Sequence, residues 1–296
     1  MVLPTNFNKL LGGATVISAV MMANTARAGW ETLADGGNFS SPAAFEQAYG
    51  CNYPGNRITH NGDCIMDQTN VVLSGGTVGL RCTRFSGDFV NGNYYDYKSG
   101  TFYWRQPVVF DAKHPAWDVS VTCQVPYIAG TWPAFWLTPT NRWNCESDIM
   151  ESWGVESIRH GTYGSPPGAP GRKSTWAKNH AWKTRLIGPQ KTAAHTYRLL
   201  AFMVNDTDVE FHYFQDGVQI YGVTKANFVN NPLWVIFDYE TFRDGNGGAG
   251  GRPTFTGPLW VRVQRIDISD LNLTGTPSGP ISLGTNRNEP ASGAFH

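Results

Sequence analysis

No part of this chain keeps up the 3.6-residue spacing of a long amphipathic helix. Short β-branched and aromatic runs recur instead, at 77–85, 101–112, 117–125, 134–138, 196–204, 209–214, 218–223, 233–239 and 259–268. Side chains branched or bulky near the backbone suit a pleated surface better than a helix turn. Asp216-Gly217 stands between two such runs and predicts a tight hairpin, because both positions tolerate positive φ. With 33 glycines and 18 prolines punctuating the runs, the residues predict an all-β sandwich or barrel. At most a short helix is expected, over 43–48. The segments 157–191 and 244–253, rich in Gly, Pro and polar residues, read as long loops.

The first 28 residues read as an export signal: Lys9, an uncharged apolar run from Leu10 to Ala23, and a small-x-small site at Ala26-Arg27-Ala28. Cleavage after Ala28 predicts a soluble, exported chain beginning at Gly29, without a membrane anchor. Residues 29–274 then form one β domain, and 275–296 have the composition of a flexible tail. A total of 23 basic against 23 acidic residues argues against a nucleic-acid partner, and a monomer is expected. Of the five cysteines, Cys51 and Cys64 flank a loop-like stretch and are the first choice for a disulfide. Cys82 and Cys123 read as buried thiols and Cys145 as core packing. No spacing suggests a zinc or redox centre, so neither a metal nor a cofactor is expected at the site.

Chemistry concentrates in ESDIME, residues 146–151. On a strand, Glu146 and Asp148 share a face, whereas Glu151 falls on the opposite one. One extra residue near Ile149-Met150, a β-bulge, would return Glu151 to the first face. Three acids on one wall repel each other unless something uses them. Two carboxyls flanking a sugar bond are the machinery of glycoside hydrolysis, one attacking the anomeric carbon and one handling the leaving oxygen's proton. Asp148, between them, would keep their protonation states apart.

Trp132 and Trp136 share a strand face upstream of the acids, and Trp143 immediately precedes them. Flat indole faces suit the C–H faces of pyranose rings, though the same rings also suit a core. Asp238 and Glu240 form a second i, i+2 acid pair and read as substrate contacts. His160, His180 and His195 are scattered and read as satisfied polar groups.

At these residues the chain resembles the family 16 glycoside hydrolases, which include laminarinases, lichenases, agarases and κ-carrageenases. ESDIME fits the bulged E-x-D-x-x-E motif. GTWPAFWLTP resembles the strand before it, HTYRLLAF with Asp216-Gly217 the following strand and hairpin, and LWVRVQRIDI the closing strand. The likeness runs from about residue 71 to 273. It implies a concanavalin-like β-jelly-roll sandwich of two antiparallel sheets, with a substrate cleft on the concave face, and a retaining, endo-acting enzyme. Matching motif positions give Glu146 the nucleophile role, Glu151 the acid/base role and Asp148 the supporting role. Trp132, Trp136 and Trp143 fall where sugar-stacking aromatics are placed.

The chain departs from that pattern at Ser147 (usually Ile), at Thr162-Tyr163-Gly164 (often T-x-H) and at Asp238 (commonly Asn). At Arg262 the family has an acid that helps to bind a structural calcium ion. The expected substrate is a β-1,3- or mixed-linkage β-glucan. Arg159, Arg172, Lys173, Lys178, Lys183, Arg185 and Lys191 read either as a solvated loop or as a basic rim for an anionic polysaccharide, for example a sulfated galactan; an anionic or galactan polysaccharide is the alternative substrate. A transglycosylase would use the same catalytic residues, and a non-catalytic, lectin-like sandwich would share the fold without the chemistry.

Overall fold

The computed structural model describes residues 29–273 except 142, 155–156, 165–178, 186–192, 221–223, 243–252 and 254, and at 179–185 and 224 the backbone alone. The expected signal and tail therefore lie outside the described residues. Among those described, no helix is long and apolar enough to cross a membrane.

Among the described residues, eighteen strands build two sheets. The larger contains β1 (Gly29–Ala34), β3 (Cys64–Met66), β4 (Val71–Ser74), β5 (Thr77–Val90), β6 (Asn93–Ser99), β8 (Ala116–Gln124), β13 (His195–Met203), β14 (Asp208–Gln215), β15 (Val218–Gln219), β16 (Thr224–Asn227) and β18 (Leu259–Asn272). The smaller runs in the order β12 (Asn179–Arg185), β11 (Ser157–Tyr163), β10 (Glu146–Ser152), β9 (Thr131–Pro139), β17 (Leu233–Thr241), β7 (Thr101–Trp104), β2 (Tyr49–Cys51). Among the described strands every pairing is antiparallel except β3 with β6. This is the jelly-roll sandwich expected from the resemblance.

Alternation places the core. In β9, β17 and β7, Phe135, Phe237 and Phe102 point inward; Phe102 and Phe237 stack at 5.9 Å and 5°. Val119, Val121, Leu199 and Phe211 of the larger sheet are buried in the same apolar core. Truncating one such phenylalanine costs about 3–5 kcal/mol through lost transfer energy and the cavity left behind. The predicted hairpin forms at Asp216-Gly217 with φ of 50° and 79°. The short helix is α1 (Pro42–Ala48), capped by the Ser41 hydroxyl, which accepts from Ala44 N at 3.1 Å.

Two expectations are corrected. All five cysteines are free thiols, so Cys51 and Cys64 do not pair. The stretch between them does not close on itself. It crosses the outer face of the smaller sheet and delivers Cys64 to β3, where its Sγ sits 3.9 Å from Cys82 Sγ and 3.3 Å from Thr241 Oγ1. The basic segment 157–191 is not all loop: its ends form β11 and β12, paired from Ser157 with Arg185 to Thr162 with Asn179. The backbone ladder holds these strands, while the many basic and polar residues of their sequence mask any apolar alternation.

Candidate active site

The outer face of the smaller sheet carries the predicted acids. Opposite Leu137 of β9 is Ser147, and opposite Trp136 is Asp148; the register then shifts, and Met150 faces Phe135 and Glu151 faces Ala134. On the β11 side the register shifts between Asp148 and Glu151. The extra residue is thus in Ile149-Met150, both fully buried. It returns Glu151 to the face shared by Glu146 and Asp148. A bulge leaves backbone groups outside the ladder, and His160 supplies a partner, its Nδ1–H donating to the Ile149 carbonyl. Burial depresses the His160 pKa to about 4, so the ring is neutral near pH 7.

The rows across the floor follow from the register. Tyr163 stands beside Glu146, Gly161 beside Asp148, and Arg159 beside Glu151. Across β9, Trp136 faces Ile236, Ala134 faces Asp238 and Trp132 faces Glu240 of β17. Glu151 and Asp238 therefore flank the small Ala134. A Cβ at position 161 would lie 3.3 Å from Asp148 Oδ2, so glycine there gives the aspartate room.

Each glutamate receives an indole proton. Trp143 Nε1 donates to Glu146 Oε2 at 2.9 Å, and Trp132 Nε1 to Glu151 Oε1 at 2.6 Å. Glu146 stays partly accessible, while Asp148 and Glu151 are 7% and 8% exposed. Burial pushes the Glu146 carboxyl up to about 7, opposed by the Trp143 N–H and reinforced by Glu151 and Asp238. Burial also raises Glu151, opposed by the nearby Trp153 and Trp132 N–H groups and the Arg159 charge. Asp148 is pushed well above the carboxylate range by burial and by both glutamates, with Arg159 opposing. Burial and the two neighbouring acids thus both favour the protonated form of Asp148.

The tryptophans occupy different settings. The Trp132 ring stacks on Phe242 at 4.8 Å and 4°, so one face is covered. Trp136, which the sequence left open between sugar platform and core ring, is 5% exposed. His60 lies on it at 5.3 Å and 34°, and its N–H donates to Asp238 Oδ2 at 3.0 Å. Trp143 is half-buried at the end of the acid row.

Sequence reasoning missed Tyr53, His60, Trp153 and the placement of Arg159. The alternation of SIRHGTY could have put Arg159 on the outer face; nothing local marks Tyr53 or His60. The Tyr53 hydroxyl lies 3.0 Å from Asp238 Oδ2 and 2.9 Å from Glu240 Oε1. A phenol has one proton, so it can donate to one of these acids while the other must bring its own. Burial accordingly pushes Asp238 up to about 7, against the Tyr53 and Trp136 bonds. Through the Tyr53 hydroxyl, Asp238 and Glu240 together fasten the 52–63 segment to the floor. His195 meets Asp216 at 2.7 Å; the His180 side chain lies outside the described residues.

Calcium does not fit the closing strand, where Arg262 presents an exposed cation. Among the described residues no group of three His, Cys, Asp or Glu side chains is disposed to hold a metal ion.

No family model matches the chain. A galactan endo-β-1,3-galactanase from Flammulina velutipes is 24% identical over 217 residues, spanning 71% of this chain and 80% of that protein. The catalytic domain of an endo-1,3-β-glucanase (laminarinase) from Thermotoga petrophila superposes with a TM-score of 0.58 at 17% identity, over 83% of this chain and 100% of that one. Porphyranase B from Zobellia galactanivorans gives 0.61 at 16% identity, over 82% and 93%. The κ-carrageenase from Pseudoalteromonas carrageenovora gives 0.60 at 14%, over 84% and 99%. The chain has the jelly-roll fold of these proteins, and its resemblance to the family 16 glycoside hydrolases, first carried by ESDIME, stands in sequence and in fold.

Proposed function

We propose that the chain is a retaining endo-β-glycosidase that cuts internal β-linkages of a polysaccharide. The observation that carries this reading is the bulge in β10, which sets Glu146, Asp148 and Glu151 on one face with a tryptophan N–H on each glutamate. Glu146 attacks the anomeric carbon while Glu151 gives its proton to the leaving oxygen. Glu151 then takes a proton from water as the glycosyl-enzyme is hydrolysed. Burial raises both glutamates, Glu146 against the Trp143 N–H and Glu151 against the Trp153 and Trp132 N–H groups and the Arg159 charge; the first step uses the state with Glu146 ionised and Glu151 protonated.

A β-1,3-linked chain is the proposed substrate. The sequence motif favours a β-glucan; the likeness to a galactan endo-β-1,3-galactanase supports a β-1,3-galactan as the second reading. Purified protein incubated with laminarin, lichenan, β-1,3-galactan, agarose and carrageenans is expected to shorten one of the β-1,3-linked polymers. Glu146→Gln is expected to abolish this. Turnover surviving in that variant removes Glu146 from the nucleophile role. Longer products alongside shorter ones would indicate transfer to sugar rather than water. Export is proposed from the 1–28 segment, and recovery of a chain beginning at Gly29 from outside the cytoplasm tests it.

A further inference from the structure

Arg159 is the direct cross-strand partner of Glu151, on the side of the ladder away from Ala134. Its Cζ lies 3.3 Å from the centre of the Trp153 ring. A guanidinium laid on an indole has its plane fixed and its N–H directions set. Nε and Nη1 are shielded from solvent, and among the described residues neither finds an acceptor. Charged donors left buried and unpaired are costly. Their direction is set and no described residue accepts from them, which is the condition of a group that completes its bonds with a ligand.

The position defines which part of a substrate that is. The group that protonates the leaving oxygen stands on the leaving-group side of the scissile bond, so on the reading above the neighbour of Glu151 faces the departing sugar. Glu146, ionised for its attack, stands on this floor among further carboxyls, so a carboxylate or sulfate on that sugar meets acidic rather than basic neighbours around Arg159. Hydroxyl oxygens accept from a guanidinium without adding charge.

We propose that Arg159, backed by Trp153, is a specificity-determining residue whose guanidinium donates to hydroxyl oxygens of an uncharged sugar on the leaving-group side. The inference rests on the glycosidase reading, and the experiment separates the two. Wild type, Arg159→Lys and Arg159→Met are compared on laminarin and β-1,3-galactan, and on nitrophenyl β-glycosides of the matching disaccharides, which place no sugar on the leaving-group side. Thermal melts confirm that each variant is folded. Arg159→Met is expected to lose about 30-fold or more in kcat/KM on polymer and less than about 3-fold on the aryl glycosides, with Arg159→Lys between, as for the loss of a charged hydrogen-bond pair to substrate. Transfer to an added oligosaccharide acceptor should fall in parallel with polymer cleavage.

Equal losses on both substrates, with the same displacement of both pH profiles, would overturn the proposal and leave Arg159 acting on Glu151 alone. An Arg159-dependent preference for sulfated or carboxylated polymers over neutral ones would overturn the uncharged-sugar assignment. Wild type that is inactive on every polymer and aryl glycoside overturns the glycosidase reading, and this proposal with it. Wild type that is active, with Arg159→Met unchanged on polymer, overturns this proposal alone.

Discussion

Trp132 Nε1 donates to Glu151 Oε1 at 2.6 Å across the β9–β10 ladder, while its ring is stacked on Phe242. The bond favours the ionised carboxylate and so holds the Glu151 pKa down. Trp132→Phe keeps the aromatic packing and removes the donor. The alkaline limb of the kcat/KM profile is expected to move to higher pH, because a rise in this pKa keeps the acid protonated longer. The maximum should fall about 10-fold, the scale of one hydrogen bond to a charged group. An unmoved alkaline limb would show that the bond does not act on the proton donor.

Trp143→Phe acts on the other limb. Its N–H stabilises ionised Glu146, so its removal raises the Glu146 pKa above its present value of about 7. The acidic limb should then shift to higher pH, with about a 10-fold loss at pH 6 and a smaller one at pH 8. Uniform loss across the pH range would contradict this assignment.

His160 holds the bulge from the core side through the Ile149 carbonyl. His160→Phe fills similar volume but leaves that carbonyl buried without a partner, at a cost of about 1–3 kcal/mol. Both stability and activity should drop, since the bulge sets the direction of Glu151. Urea unfolding alongside laminarin and β-1,3-galactan turnover measures this; unchanged activity with lowered stability would separate the bulge from the chemistry.

Asp238→Asn should stabilise the protein, and only at higher pH. Asp238 is 3% exposed and its pKa is raised to about 7, above its unfolded value. The folded state therefore holds more protons than the unfolded one between roughly pH 4 and 7, and stability falls as pH rises through that window. An uncharged amide removes the penalty. The expected gain is on the order of 1–3 kcal/mol at pH 8 and close to none at pH 4, part of the burden being shared with Glu240 through Tyr53. Equal gains at both pH values would indicate packing rather than proton linkage.

Much of the fold was legible because alternation is local. The run 134–138, the hairpin at Asp216-Gly217 and the inward-facing phenylalanines all follow from period-2 spacing and turn chemistry. The bulge could be anticipated because three acids in six residues made sense on one face and not on two. The strands β11 and β12 are not legible in the sequence, because basic and polar residues hide their alternation. The Cys51–Cys64 pairing failed because cysteine proximity depends on where the chain between them travels, and here it crosses to the other sheet.

By itself the sequence determined that strands form and where many of them lie, and which acids could stand together. Those properties depend on neighbours two to five residues apart. Only the tertiary structure decided that Tyr53 and His60 press on Trp136 and Asp238, that Arg159 lies beside Glu151 with donors to spare, and which rings are covered. Such contacts join residues up to 187 positions apart, as Tyr53 and Glu240 are. Their existence rests on the closure of the two sheets around one apolar core, a balance of burial and chain entropy that no short window of sequence encodes.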